Sequence, residues 1–115
     1  MRFSRDDDAA LWLRDFVPEF ENFDWGAGNR TKNEKHGVRP EEIESIFFQE
    51  RFVFAGKITE PAHDEWRGLI LGCSDAGRLV ALIFTRRGER LRPISCRSMR
   101  PNERRLYETS TQEHS

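Results

Sequence analysis

The side chains able to do chemistry in this chain are three histidines, two cysteines and an uneven spread of arginines. His114 lies in the C-terminal tail, and His63 in a loop beside Asp64-Glu65. His36 closes the stretch Lys32-Asn33-Glu34-Lys35-His36-Gly37. There it suits either a cap on the last carbonyls of a short helix or a group that moves protons near neutral pH. The arginines are concentrated. Residues 66–105 hold ten Arg and no Lys against three acids, a local +7, while residues 1–24 hold three Arg against seven acids, a local −4. The whole chain is at −1. A planar guanidinium grips phosphate through a fork of donors where lysine offers a point charge. An ordinary solvated strand face would carry the same residues, so charge leaves both readings open.

Cleaving RNA without a metal sets four demands. The 2′-hydroxyl loses a proton, the phosphorane charge is stabilised, the leaving 5′-oxygen gains a proton, and the strand is held in line. Arginine serves the charge, and histidine or a carboxylate moves the protons. Arg67, Arg86, Arg92 and Arg97 fall on successive strand-like runs, so a sheet brings them together if the register allows it. Cys73 and Cys96 lack a metal-ligand spacing and read as buried thiols on strands. Neither a metal nor a cofactor is expected. Gly-rich phosphate loops, a nucleophile elbow and HExxH are absent from the sequence, which leaves nucleotide phosphoryl transfer and metalloprotease chemistry without support.

The elements that must position these residues follow from pattern. Asp6-Asp7-Asp8 before Ala9, Leu11, Trp12, Phe16 and Val17 predicts a helix over 6–19, closed at Pro18. Phe20 to Trp25 alternates weakly, as a strand would, and Asn29 to His36 reads as a short helix stopped by Gly37. Pro40 with Glu41-Glu42 opens a helix to about Gln49, with Ile43, Ile46 and Phe47 on one face. Strand-like runs follow at 52–55, 66–73, 78–85 and 89–97, with turn chemistry at Ser74-Asp75-Ala76-Gly77 and Arg87-Gly88. Residues 78–85 are apolar on both faces, as a central strand is, and Pro93 marks an edge or a bulge. A short helix over 101–108 and a frayed tail end the chain. The expected class is α+β, an antiparallel meander packed with short helices.

With 115 residues, 37% hydrophobic and 34% charged, the chain suits one highly charged domain with a thin core of Phe and Trp. Its longest apolar run, Leu79 to Phe84, is strand-sized, and the N-terminus lacks the apolar stretch of a secretory signal, so neither membrane insertion nor export is expected and the cytoplasm is.

Several short motifs occur in a specific order. Phe23-Asp24-Trp25, Gly28-Asn29, Lys32 and Lys35-His36-Gly37-Val38 are followed by Glu42-Ile43-Glu44 with Phe47. Then come Glu65, Arg67 and Gly72, Gly77-Arg78-Leu79, Phe84-Thr85-x-Arg87, and Arg92-Pro93-Ile94-Ser95-Cys96-Arg97-x-Met99 with Glu103 and Tyr107. In order and spacing this resembles the BrnT family. The resemblance implies a RelE-like toxin domain over residues 21–108, with residues 1–20 as a helical extension and 109–115 as a flexible tail. It implies a metal-independent endoribonuclease that halts translation, a BrnA-like antitoxin as partner, and contact with operator DNA through that antitoxin. Gly26 stands where the family usually has Asp, Trp66 where an acid is common, and Cys96 in place of the usual Ala.

With the resemblance, His36 becomes the candidate general acid or phosphate ligand, and Glu65 the candidate base. Arg67 and Arg97 are candidate charge stabilisers, while Arg86, Arg92 and Lys35 are candidate RNA contacts. Arg87 matches the family as well as Arg86 does, and the two should point to opposite faces. In a regular strand Arg92 and Arg97 also face opposite ways, unless a bulge at Pro93 realigns them. A non-catalytic module that binds an antitoxin or nucleic acid is the rival reading, favoured by the changes at Gly26 and Trp66.

Overall fold

In the computed structural model, residues 1–26, 37–48 and 52–112 are described. The predicted helix over 29–36 lies outside them. Five strands form one antiparallel sheet: β1 (Arg2–Ser4), β2 (Phe52–Glu60), β3 (Gly68–Cys73), β4 (Leu79–Arg87) and β5 (Arg90–Ser98). Each strand lies beside its sequence neighbour, in the order β1-β2-β3-β4-β5. With helices α1 (Asp7–Arg14), α2 (Pro40–Phe48) and α3 (Pro101–Gln112), the fold is α+β as expected.

The first helix shows how local chemistry sets an element. The Asp6 carboxylate accepts from the Ala9 N–H, Asp7 and Asp8 occupy the first turn and Arg14 the last, each favourable to the helix dipole. The helix is shorter than the predicted 6–19. The Asp15 N–H closes it on the Leu11 and Leu13 carbonyls, and Pro18 disfavours helical geometry at Val17. The predicted strand at 20–25 is instead a 3₁₀ turn, Phe20–Asn22, followed by one parallel bridge from Phe23 to Leu91. β1 was not anticipated, β2 runs on to Glu60, and α3 continues to Gln112.

Register sorts the apolar residues onto two faces. On the first, Ile70, Val80, Leu82, Phe84, Leu91 and Cys96 meet Leu13, Phe23, Val38, Ile43, Ile46 and Phe47 from the helices and connecting segments. On the second, Ile58, Leu69, Leu71 and Ala81 pack with Tyr107 of α3. The rings of Phe54, Trp66 and Phe84 converge on Gly68, where a Cβ would lie 2.7 Å from Trp66 and 2.8 Å from Phe84. A side chain of Phe84's size, fully buried, contributes about 2 kcal/mol. Burial pushes the Cys96 thiol up to about 12, so it stays protonated in the core.

Two strands are bulged. Ala55 is skipped in the pairing of β2 with β3, and Ile94 in that of β5 with β4, where Ile83 pairs with Ser95 and Phe84 with Pro93. The second bulge decides which arginines share a face.

Candidate phosphate-binding face

Strand pairing carries one row of side chains across the second face. The Ile58 N–H donates to the Arg67 carbonyl, Gly68 pairs with Phe84, and Thr85 pairs with Arg92. Trp66 and Gly68 belong to the first face, so Arg67 between them projects onto the second. The row therefore reads Ile58, Arg67, Thr85, Arg92. Two strand spacings put the Arg67 and Arg92 backbones about 10 Å apart. Thr85 between them is buried, its hydroxyl donating to the Trp66 carbonyl.

The two arginines of this row differ in what they hold. Arg92 reaches Asp24 at 3.4 Å, and Asp24 is fixed by its own N–H donating to the Leu91 carbonyl at 2.8 Å. Arg67 has a buried Nε without a hydrogen-bond partner, and among the described residues its guanidinium meets no acceptor. A buried charged donor left unmatched is costly.

Arg97 shares the face but is occupied. Its Nη1 and Nη2 donate to the two carboxylate oxygens of Glu103 at 2.7 and 2.9 Å, and the Arg100 N–H donates to the same carboxylate at 2.8 Å. Burial alone would raise the Glu103 carboxyl, but the bonds from Arg97 and Arg100 outweigh it and hold it below the ordinary range. The Arg97 side chain is 18% exposed, not the exposed strand arginine that sequence suggests. Farther along, Arg87 pairs with Glu65 at 2.9 Å, and Arg90 donates to the Glu21 and Phe23 carbonyls.

Arg86 is on the other face. Its guanidinium carbon lies 4.8 Å from the Trp12 ring centroid, a cation–π contact beneath α1. Register thus brings Arg67, Arg92, Arg97, Arg87 and Glu65 to one side and leaves Arg86 on the opposite one.

Lys35 and His36 lie outside the described residues. The flanks of their segment are anchored on sheet arginines. A Cβ at Gly26 would sit 3.0 Å from Arg92 Nη2. The Gly37 carbonyl accepts from Arg78, whose guanidinium also grips Glu42 at 2.6 and 2.7 Å. The hydrogen bond from Arg78 is the main reason that the Glu42 carboxyl lies below its ordinary range. Asp24, Arg78 and Arg90 were not singled out as site residues in the sequence. Asp24 and Arg78 stood only within the motif elements Phe23-Asp24-Trp25 and Gly77-Arg78-Leu79, and Arg90 only in the alternation Arg90-Leu91-Arg92.

The family model for the ribonuclease toxin BrnT of type II toxin–antitoxin systems matches residues 25–103. The chain belongs to the BrnT family. Ribonuclease activity and a protein antitoxin partner are properties of that family. No curated protein matches the chain. The BrnT match contains Glu65 and all the strand arginines discussed above, and it ends at Glu103, the partner of Arg97. β1 and α1 precede it, yet they pair with β2 and bury Ala9 and Leu13 in the same structure.

Proposed function

We propose that the Arg67–Thr85–Arg92 row binds the phosphate backbone of RNA in a metal-independent endoribonuclease that halts translation. The observation that carries this reading is Arg67, a half-buried cation on the second sheet face whose Nε has no acceptor among the described residues. Arg67 is the proposed stabiliser of the phosphorane charge, and Arg92, tethered by Asp24, the proposed contact to a neighbouring phosphate. Glu65, held by Arg87, is the proposed base, and His36 the proposed acid or phosphate ligand, with Lys35 on the RNA backbone. Arg97 supports the face through Glu103 rather than contacting RNA directly. The setting proposed is the cytoplasm, with a BrnA-like antitoxin that silences the toxin and carries the complex to operator DNA.

The test is cleavage of single-stranded RNA by the purified chain in EDTA. Activity that appears only when a divalent ion is added would overturn the metal-independent mechanism. Binding should also weaken as salt rises, because phosphate contacts release counterions.

A binding module without catalysis is the second reading. Favouring it, Arg92, Arg97 and Arg87 already have carboxylate partners. Expression without an antitoxin separates the two: a nuclease arrests growth, and a binding module does not.

A further inference from the structure

The N-terminal segment builds a second surface of opposite character. Between α1, the 3₁₀ turn and the β4–β5 turn lies a cleft of about 640 Å³, lined by Leu11, Trp12, Phe16 and Val17 with Asp8, Asp15 and Glu89 at its polar edges. Leu11 and Val17 are each about half exposed, at 51% and 52%, and Phe20 beside them is 75% exposed. A cavity of about 150 Å³ accepts a benzene ring, so this cleft has room for more than one side chain. Among the described residues the one cation lining it, Arg86, lies over the Trp12 ring, and Arg14 stands 3.6 Å from Asp15, which leaves three carboxylates against two cations at the cleft.

The chemistry narrows what fits. The carboxylates of Asp8, Asp15 and Glu89 disfavour RNA and anionic membranes at this cleft. Among the described residues, no three His, Cys, Asp or Glu side chains converge to hold a metal ion. The carboxylates are spread around an apolar floor, as suits cations spaced along a polypeptide. We propose that this cleft docks a cationic amphipathic segment of a protein partner, with an apolar side chain on the Leu11–Val17 floor and lysine or arginine against Asp8, Asp15 and Glu89. In a toxin–antitoxin system the antitoxin is the partner at hand. Because Arg86 at the cleft and Arg67 project from opposite faces, docking here would not itself cover the proposed phosphate row, and the proposal stands independently of RNA cleavage.

The experiment titrates the isotope-labelled full chain with a short synthetic helix carrying leucine and lysine at i, i+4 spacing, read by amide NMR shifts. Saturable shifts at Leu11, Asp15, Val17, Asn22 and Glu89 are expected. Replacing the peptide's lysines with glutamine should weaken binding about tenfold or more, and so should Asp15→Asn with Glu89→Gln in the protein. Both substituted residues are exposed, and an unchanged Tm would exclude misfolding. Shifts spread over other acids such as Glu41 and Asp64, equal binding by the glutamine peptide, or undiminished binding by the double variant would overturn the proposal. So would the same shifts appearing on raising protein concentration without peptide, which would assign the cleft to a second copy of the chain.

Discussion

Arg92 and Arg97 project from the same face of β5 although an odd number of positions separates them. In a regular strand an odd separation puts side chains on opposite faces. Here Thr85 pairs with Arg92 and Ala81 with Arg97, with Ile94 skipped between Pro93 and Ser95. The bulge absorbs one residue and restores the alternation. Both arginines then project from the side that carries α3, and they divide the work. Arg97 is committed to Glu103 and Arg92 is tethered to Asp24.

Arg97→Ala should therefore act on stability. Removing one partner of a largely buried ion pair strands the other, at a cost of about 3 kcal/mol. Glu103→Gln should destabilise as well, because its amide oxygen can still accept from Arg97 Nη1 and the Arg100 N–H but its NH2 turns a donor against Arg97 Nη2. Denaturant midpoints of the two variants check this. An Arg97→Ala protein as stable as the parent would dismiss the structural role.

Arg67→Ala should act on rate. Deleting a charge stabiliser typically costs about 10²–10³ in turnover. Its Tm should hold or rise, since the unmatched Nε goes with it. Arg86→Ala should leave cleavage intact and lose at most about 1 kcal/mol of cation–π energy with Trp12. Single-turnover cleavage and melting of both variants, with His36→Ala alongside, compare the two faces directly. If Arg86→Ala proved the slower enzyme, the phosphate site would move to the other side of the sheet.

Acid should loosen the fold through three carboxylates. The Ala9 N–H holds the Asp6 carboxyl down, Arg78 holds down Glu42, and Glu103 stays low because Arg97 outweighs its burial. A folded pKa below the unfolded one gives stability that is present above the unfolded value, near 4, and disappears as pH falls through the folded one. Unfolding free energy should thus be flat above about pH 5 and drop below about pH 4. Glu42→Gln should flatten part of that drop. A curve that fell instead between pH 6 and 8 would point to histidine.

Gly68→Ala should be a packing defect. The added methyl would press on Trp66 and Phe84 within the aromatic cluster, and overpacking of this kind costs about 1–3 kcal/mol. Melting temperature is the readout, and a neutral effect would show that the Trp66 ring can swing aside.

Much of this molecule was legible because its signals are local. Ile43, Ile46 and Phe47 at helical spacing behind Pro40 gave α2, and the two-sided run from Leu79 to Thr85 gave an interior strand. β1 escaped because three residues, all exposed, carry no alternation of burial to read. Pro93 announced an irregularity in β5 but not its outcome, because the skipped residue is Ile94 and only pairing with β4 reveals it. The arginines were visible as a class, whereas their employment was not. Arg97 finds Glu103 across a turn, and Arg86 finds Trp12 from the far end of the sequence. Lys35 and His36 fall outside the described residues, so their roles rest on the sequence and on variants.

Asp6 joins two levels of structure with one carboxylate. One oxygen caps α1 through the Ala9 N–H, and the other accepts from the Trp66 indole at 2.9 Å. A helix of eight residues is too short to persist in water by itself. β1 likewise needs residues 57–60 of β2 for its pairing. Residues 1–14 precede the meander in the chain and are placed late, after the meander that receives them exists. The meander closes through successive neighbours, which is the fast kind of topology, while the N-terminal segment closes a long loop. Pulsed amide exchange during refolding should therefore protect Leu82 before Ala9. Until that last step the acidic wall of the cleft is unformed, so the arginine face exists before the surface proposed to dock a partner does.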